Sequence, residues 1–173
     1  MVVPKLAGDP LAPATGLQNP VSKRLKQACD MEINPTLFPV VAALLVDGAG
    51  RLLVQQRPPG KMMAGLWEFP GGKIEPGETP EAALARELGE ELGIQVAEAD
   101  LAPLTFASDA LGTRHLILLL YRCDRWTGEP EPLHASMIRW VSVDDLRALD
   151  MPPADLPLLG AIEQSLRHRG GAQ

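Results

Sequence analysis

The sequence predicts an α+β fold arranged as an α/β/α sandwich, and three observations predict it. Strand-length apolar runs and helical stretches are mixed along the chain without regular βαβ units. Phe38 to Val46 is a continuous apolar, β-branched run that reads as a buried strand. Pro80 to Leu92 reads as a helix signalled at both ends, with Thr79 as N-cap, Pro80 at the first helical position and Gly93 as the stop.

Residues 1–34 are punctuated by Pro4, Gly8, Pro10, Pro13, Gly16 and Pro20, hold no sustained apolar period, and end in a short basic patch from Val21 to Cys29. A flexible extension is expected there, with a folded domain over 35–169 and a tail at 170–173. After the first strand, Asp47-Gly48-Ala49-Gly50 is turn chemistry, and Arg51 to Gln56 is expected to return as the second arm of a hairpin. Pro58, Pro59, Gly60 and Gly65 make Arg57 to Leu66 a loop. Trp67 to Phe69 is a short strand leading into Pro70-Gly71-Gly72, and the capped helix follows. Strands are expected at Leu104 to Ser108, His115 to Cys123 and Ile138 to Val141, with a turn at Thr127 to Pro130. Val143 to Leu149 and Leu156 to Arg167 read as short helices, the second amphipathic through Leu158, Leu159, Ile162 and Leu166.

The 173 residues suffice for one well-buried domain, and 46% hydrophobic with 22% charged residues is ordinary for a soluble globular protein. A formal charge of -6 argues against a sequence-independent grip on duplex nucleic acid, which rests on Lys and Arg neutralising phosphates. It leaves room for a single nucleotide, because bound cations can carry the phosphate contacts. Cys29 and Cys123 are far apart and in no metal-ligand spacing, so a reduced, cytoplasmic protein is the simpler expectation. The start carries no secretory pattern, and the apolar runs are too short to span a bilayer.

At about 100° per residue, Glu87, Glu90 and Glu91 share one face of the predicted helix, while Ala85, Leu88 and Leu92 share another that can pack on the sheet. Like charges so close destabilise a helix unless a hard divalent cation, which wants oxygen ligands, sits among them. Alone, such a face also reads as solvated surface. Its neighbours favour the cation: Gly71 and Gly72 let backbone approach an ion or phosphate, Lys73 adds a positive charge, and Arg86 stands where it can orient a carboxylate.

Gly72, Glu78 and Arg86-Glu87-Leu88-Gly89-Glu90-Glu91-Leu92-Gly93-Ile94 match the Nudix box, G-x5-E-x7-R-E-U-x-E-E-x-G-U with U aliphatic, at every fixed position. The chain thus resembles the Nudix hydrolases, whose fold is a sandwich with a mixed central sheet. Gln56-Arg57 and Leu66 to Glu75 are similar to the MutT branch, which removes oxidised purine nucleotides. Met151-Pro152-Pro153-Ala154-Asp155 resembles that branch's base-recognition segment.

The resemblance implies that Glu87, Glu90, Glu91 and the carbonyl of Gly71 bind Mg²⁺ or Mn²⁺. It implies that Arg86 orients Glu87, that Arg57 and Lys73 contact phosphates, and that Phe69 lines the base pocket. The implied reaction is NTP plus water to NMP plus pyrophosphate. Asp155 stands where the bacterial branch has an Asn. An ionised Asp only accepts hydrogen bonds, so it must be protonated to donate, or the base must present donors. Asp155 reads equally as an N-cap for the helix from Leu156. Where relatives carry an extra metal-binding Glu, this chain has His134, with Glu131 nearby, and His134 reads either as a base or as an ordinary surface-loop residue.

The leading expectation is therefore an enzyme sanitising nucleotides such as 8-oxo-dGTP, acting on a nucleoside triphosphate as a monomer or homodimer. A pyrophosphohydrolase for CTP, dCTP or modified pyrimidine triphosphates is the enzymatic alternative. A non-catalytic nucleotide-sensing module is the alternative of another class, and it would show an eroded box.

Overall fold

The computed structural model describes residues 36–167. The expected extension at 1–34, with its basic patch and Cys29, and the tail at 170–173 lie outside the described residues. In chain order the elements are β1 (Leu37–Leu45), β2 (Leu52–Gln56), β3 (Trp67–Glu68), β4 (Gly71–Lys73), α1 (Pro80–Leu92), β5 (Ala102–Leu111), β6 (Arg114–Cys123), β7 (Met137–Val141), α2 (Val143–Leu146) and α3 (Leu159–Arg167). A 3-10 turn at Leu156–Leu158 leads into α3.

The strands form two sheets, ordered β4-β1-β6-β5 and β3-β2-β7. The first is mixed, because β1 runs parallel to β6 over its whole length while β4 and β5 add antiparallel edges. The second is antiparallel throughout. The expected hairpin of the first two strands does not form. Its turn is present, with the Asp47 carboxylate accepting from the Ala49 and Arg51 N–H groups at 2.9 and 2.8 Å. Beyond a single bridge between Val46 and Leu52 the strands diverge into different sheets. β1 satisfies its backbone with β6 and β4, and β2 with β7 and β3, so each is an interior strand.

Alternation along β1 sends side chains into two cores. Ala42 and Leu44 pack with Val54, Trp67, Phe69, Leu120, Leu158 and Ile162 on one side. Val41, Ala43 and Leu45 pack with Leu53, Leu84, Leu88 and Leu92 on the other. Helix α3 therefore covers one face and α1 the opposite one, the arrangement of a sandwich. The buried stripe of α1 is Ala83, Leu84, Leu88 and Leu92. Ala85, expected on that stripe, is only half-buried. The i, i+4 spacing from Leu84 centres the contact one residue earlier, and each fully buried Leu contributes roughly 2 kcal/mol.

Both ends of α1 form as expected. Thr79 accepts from the Ala82 N–H at 3.1 Å, and Gly93, at φ 70°, donates to the Gly89 carbonyl at 3.0 Å. The helix expected over Val143 to Leu149 stops after one turn. The one expected from Leu156 starts as a 3-10 turn and becomes α-helical only at Leu159.

Candidate active site

The loop entering β4 and the C-terminal half of α1 meet through two glycines. A Cβ on Gly71 would lie 2.2 Å from the Val41 carbonyl oxygen, and φ of 148° is itself costly for any other residue. Gly71 can thus pair tightly with Ala42 of β1. A Cβ on Gly72 would lie 2.3 Å from the Glu87 carboxyl carbon, so the carboxylate fills the place where a side chain would stand.

Arg86 is the hub beside it. Its guanidinium donates to Glu78 at 2.8 and 3.0 Å, to Glu87 at 3.0 Å, to Glu90 at 3.3 Å and to the Lys73 carbonyl at 3.1 Å. The paired hydrogen bonds hold the Glu78 carboxyl well below the usual range, at about 2, with the Glu75 N–H adding to the effect. Glu87 is partly buried, while Glu90 stands at the exposed edge.

Glu91 turns inward. Its Oε2 accepts from the Gln55 side-chain amide at 2.7 Å and from the Gly71 N–H at 3.0 Å. Burial pushes its carboxyl upward, the two donors oppose this, and the nearby charges of Glu68 and Glu87 push it further up. Glu68 is likewise raised by burial against the pull of its Arg57 partner. The charges of Glu68 and Glu87 thus both act on Glu91 beside the two glycines.

That donor set fits a hard divalent cation: all oxygen, mutually repelling, partly desolvated and beside backbone that no Cβ obstructs. Among the described residues, however, no three His, Cys, Asp or Glu side chains converge as a ready-made ligand set. Glu87 and Glu90 are bridged by Arg86, and Glu91 is held by Gln55 and Gly71. The three glutamates share the helical face expected of them, yet they are pinned to different partners.

The remaining expected residues divide between two places. Asp155 is 5% exposed. Its carboxyl accepts from the Phe69 N–H and is pushed up to about 7, chiefly by burial and then by the Glu68 charge, against the pull of the Phe69 N–H and Arg57. It makes no side-chain capping bond to the turn that follows, so the N-cap reading is corrected. The carboxyl is instead engaged by the Phe69 N–H, just past the end of β3. The Trp67 N–H donates to the Asp150 carbonyl at 2.8 Å and fastens the same segment to β3. Phe69 itself is 4% exposed, a member of the core beside this segment.

Arg57 donates to Glu68 and, at 2.7 Å, to the Met62 carbonyl of its own loop. Lys73 pairs with Val40 across the strands and extends over the Phe38 ring at 5.6 Å, with Arg114 at 4.2 Å from the same ring. Paired residues share a sheet face, so Lys73 leaves β4 on the side opposite the contact between Gly72 and Glu87. His134 and Glu131 lie exposed on a loop tied to the end of α1, where the Glu131 and Leu133 N–H groups donate to the Leu92 and Glu91 carbonyls at 3.0 Å.

Two residues at this site were not singled out in the sequence, Gln55 and Glu68. Gln55 carried a signal, being a polar residue on the face of β2 that also presents Leu53. Glu68 lay unremarked between two aromatic residues.

A family profile described as NUDIX domain matches residues 36–161. The 8-oxo-dGTP diphosphatase of Escherichia coli (strain K12) is 34% identical over 125 residues, covering 72% of this chain and 95% of that protein. The CTP pyrophosphohydrolase of the same organism is 34% identical over 121 residues, covering 70% and 88%. The solution structure of the E. coli ORF135 protein superposes with a TM-score of 0.68 at 33% identity, covering 80% of this chain and 96% of that one.

Proposed function

The chain belongs to the NUDIX family and is a Nudix hydrolase, and from that premise we propose a nucleoside triphosphate pyrophosphohydrolase that uses Mg²⁺, or Mn²⁺ in its place, and prefers oxidised purine nucleotides such as 8-oxo-dGTP. The observation that carries the reaction is the acidic face of α1, where Arg86 holds Glu87 and Glu90, and Gln55 and Gly71 hold Glu91, beside two glycines whose missing Cβ atoms leave the backbone open. The observation that supports the base is Asp155, a buried carboxyl able to keep its proton near neutrality. A protonated carboxyl both donates and accepts, as the amide of Asn does, and can read a purine edge.

When bound, the cation neutralises phosphate charge, lowers the cost of making hydroxide and eases departure of pyrophosphate. The chain's own residues supply the rest. Arg86 fixes Glu87 and Glu90 through a planar fork that a more mobile cation could not reproduce. Gly71 and Gln55 hold Glu91 inward. Arg57 is assigned to the phosphates and Phe69 to the wall behind the base, whereas Lys73, expected at the phosphates, leaves β4 on the opposite face and is given no such role. His134 and Glu131, exposed on the loop tied to the end of α1, are given no step. Water oxygen bonds to one phosphorus of the α–β bridge, that phosphorus parts from the bridging oxygen, which leaves with the other phosphate, the water proton passes to solvent, and NMP and pyrophosphate result.

A second reading, a CTP pyrophosphohydrolase, is favoured by the relative of that name and by ionised Asp155, which can accept from the cytosine amino group. Pyrophosphate release measured over 8-oxo-dGTP, dGTP, CTP and dCTP with Mg²⁺ separates the two. The expected result is highest kcat/KM on 8-oxo-dGTP and loss of turnover in Glu90→Gln. A preference for CTP would install the second reading. No release from any substrate, with Glu90→Gln indistinguishable from wild type, would remove the enzyme assignment for these substrates.

A further inference from the structure

Gln55 is 3% exposed, on the face of β2 that also carries Leu53 and looks toward α1. An aliphatic side chain would pack there without any polar cost, so the amide needs another reason to be present. Half of the reason is visible in its Nε2, which donates to Glu91 Oε2 at 2.7 Å. The other half is its Oε1, the one buried side-chain polar atom among the described residues without a hydrogen-bond partner. Turning the amide over does not help, because Oε1 would then face a carboxylate oxygen, two acceptors in contact. The Glu91 bond therefore fixes which way the orphaned acceptor points.

A buried acceptor left bare is costly, and a natural structure keeps one where a ligand brings a donor. Hydrated Mg²⁺ brings such donors, since this ion sheds its water reluctantly and the water around it donates strongly. We propose that Gln55 is a positioning residue for the cation site, its Nε2 locking Glu91 in the inward orientation and its Oε1 accepting from the cation's hydration sphere. The proposal rests on the cation-dependent reading of the Glu87–Glu91 cluster. Groups that orient metal ligands typically change metal affinity about 10–100-fold when removed.

The test uses the full chain with Gln55→Met, which keeps length and removes both polar atoms, and Gln55→Ala. Mn²⁺ alone is titrated without nucleotide, following free Mn²⁺ by electron paramagnetic resonance. The variants are expected to weaken Mn²⁺ binding about tenfold. The cation concentration for half-maximal turnover should rise in step, while nucleotide KM at saturating cation stays within about threefold. In wild type, the Gln55 side-chain ¹⁵N–¹H pair, assigned by its absence in a variant spectrum, should shift on adding Mg²⁺ together with the Gly71 amide. Unchanged Mn²⁺ affinity in a folded variant overturns the proposal, as does a Gln55 pair that stays still at saturating Mg²⁺. The second readout decides alone if neither variant folds. If wild type binds neither ion and cleaves no triphosphate, the reading of the site falls. If wild type binds and cleaves but the variants match it, only the role of Gln55 falls.

Discussion

Asp155 lies among the Phe69 N–H, Glu68 and Arg57, and its carboxyl titrates near 7 against an ordinary 3.8. Between those values the folded chain keeps a proton that the unfolded chain releases, so stability falls as pH rises from about 4 to about 7. Asp155→Asn keeps an acceptor for the Phe69 N–H and carries no charge. It should melt above wild type at pH 8, by an amount equivalent to a few kcal/mol at most, and by a clearly smaller margin at pH 5, as thermal denaturation at the two pH values will show. Turnover of 8-oxo-dGTP should decline above pH 7 in wild type and stay level in the variant. Removing the Glu68 charge with Glu68→Gln should lower the Asp155 midpoint, followed by NMR titration of its carboxyl carbon. Gly72→Ala is a steric test, since the new Cβ would fall on the Glu87 carboxylate. A drop in kcat of roughly tenfold or more is expected from so small a displacement of a reacting group, and activity within twofold of wild type would contradict the contact.

Helix α1 carries its own design in its ends and its guanidinium hub. Thr79→Ala removes the bond to the Ala82 N–H and should cost about 1 kcal/mol in a urea melt, leaving kcat little changed. Arg86→Lys should do the reverse, because one ammonium cannot span Glu78, Glu87 and Glu90 as the fork does. Steady-state kinetics should show kcat down by more than tenfold, with a melting temperature near that of wild type. This element was almost wholly legible in the sequence, since cap, stop and acidic face are local signals. Elsewhere locality misled. Asp47-Gly48-Ala49-Gly50 does turn the chain, but its chemistry says nothing about which strand lies alongside β1, and the partner, β6, is parallel and far along the sequence. Gly71 to Lys73 carries no strand propensity and becomes β4 because β1 offers an edge. In the site, the box residues are placed by helical spacing, whereas Gln55 and Glu68 join it only when β2 and β3 pair and face α1.

Across the whole molecule the formal charge of -6 sets what can approach. A labelled duplex oligonucleotide at about 100 mM salt should show no saturable change in fluorescence anisotropy at micromolar protein, and micromolar binding would overturn the single-nucleotide reading. Among the described residues, no helix is long and apolar enough to cross a membrane. The two cores lie on opposite sides of β1, and the short passage through β3 serves both: Trp67 and Phe69 go to the side of Asp155, while Glu68 pairs in register with Gln55 on the side of α1. Adjacent codons thus write to different halves of the site. On the proposed function, drift around Asp155 would retune which base is accepted while the half assigned to pyrophosphate cleavage is inherited intact, so diversification of such a lineage should accumulate on the Asp155 side and be purged on the other. Glu68 is the exception, the position where a change in one half is felt in the other.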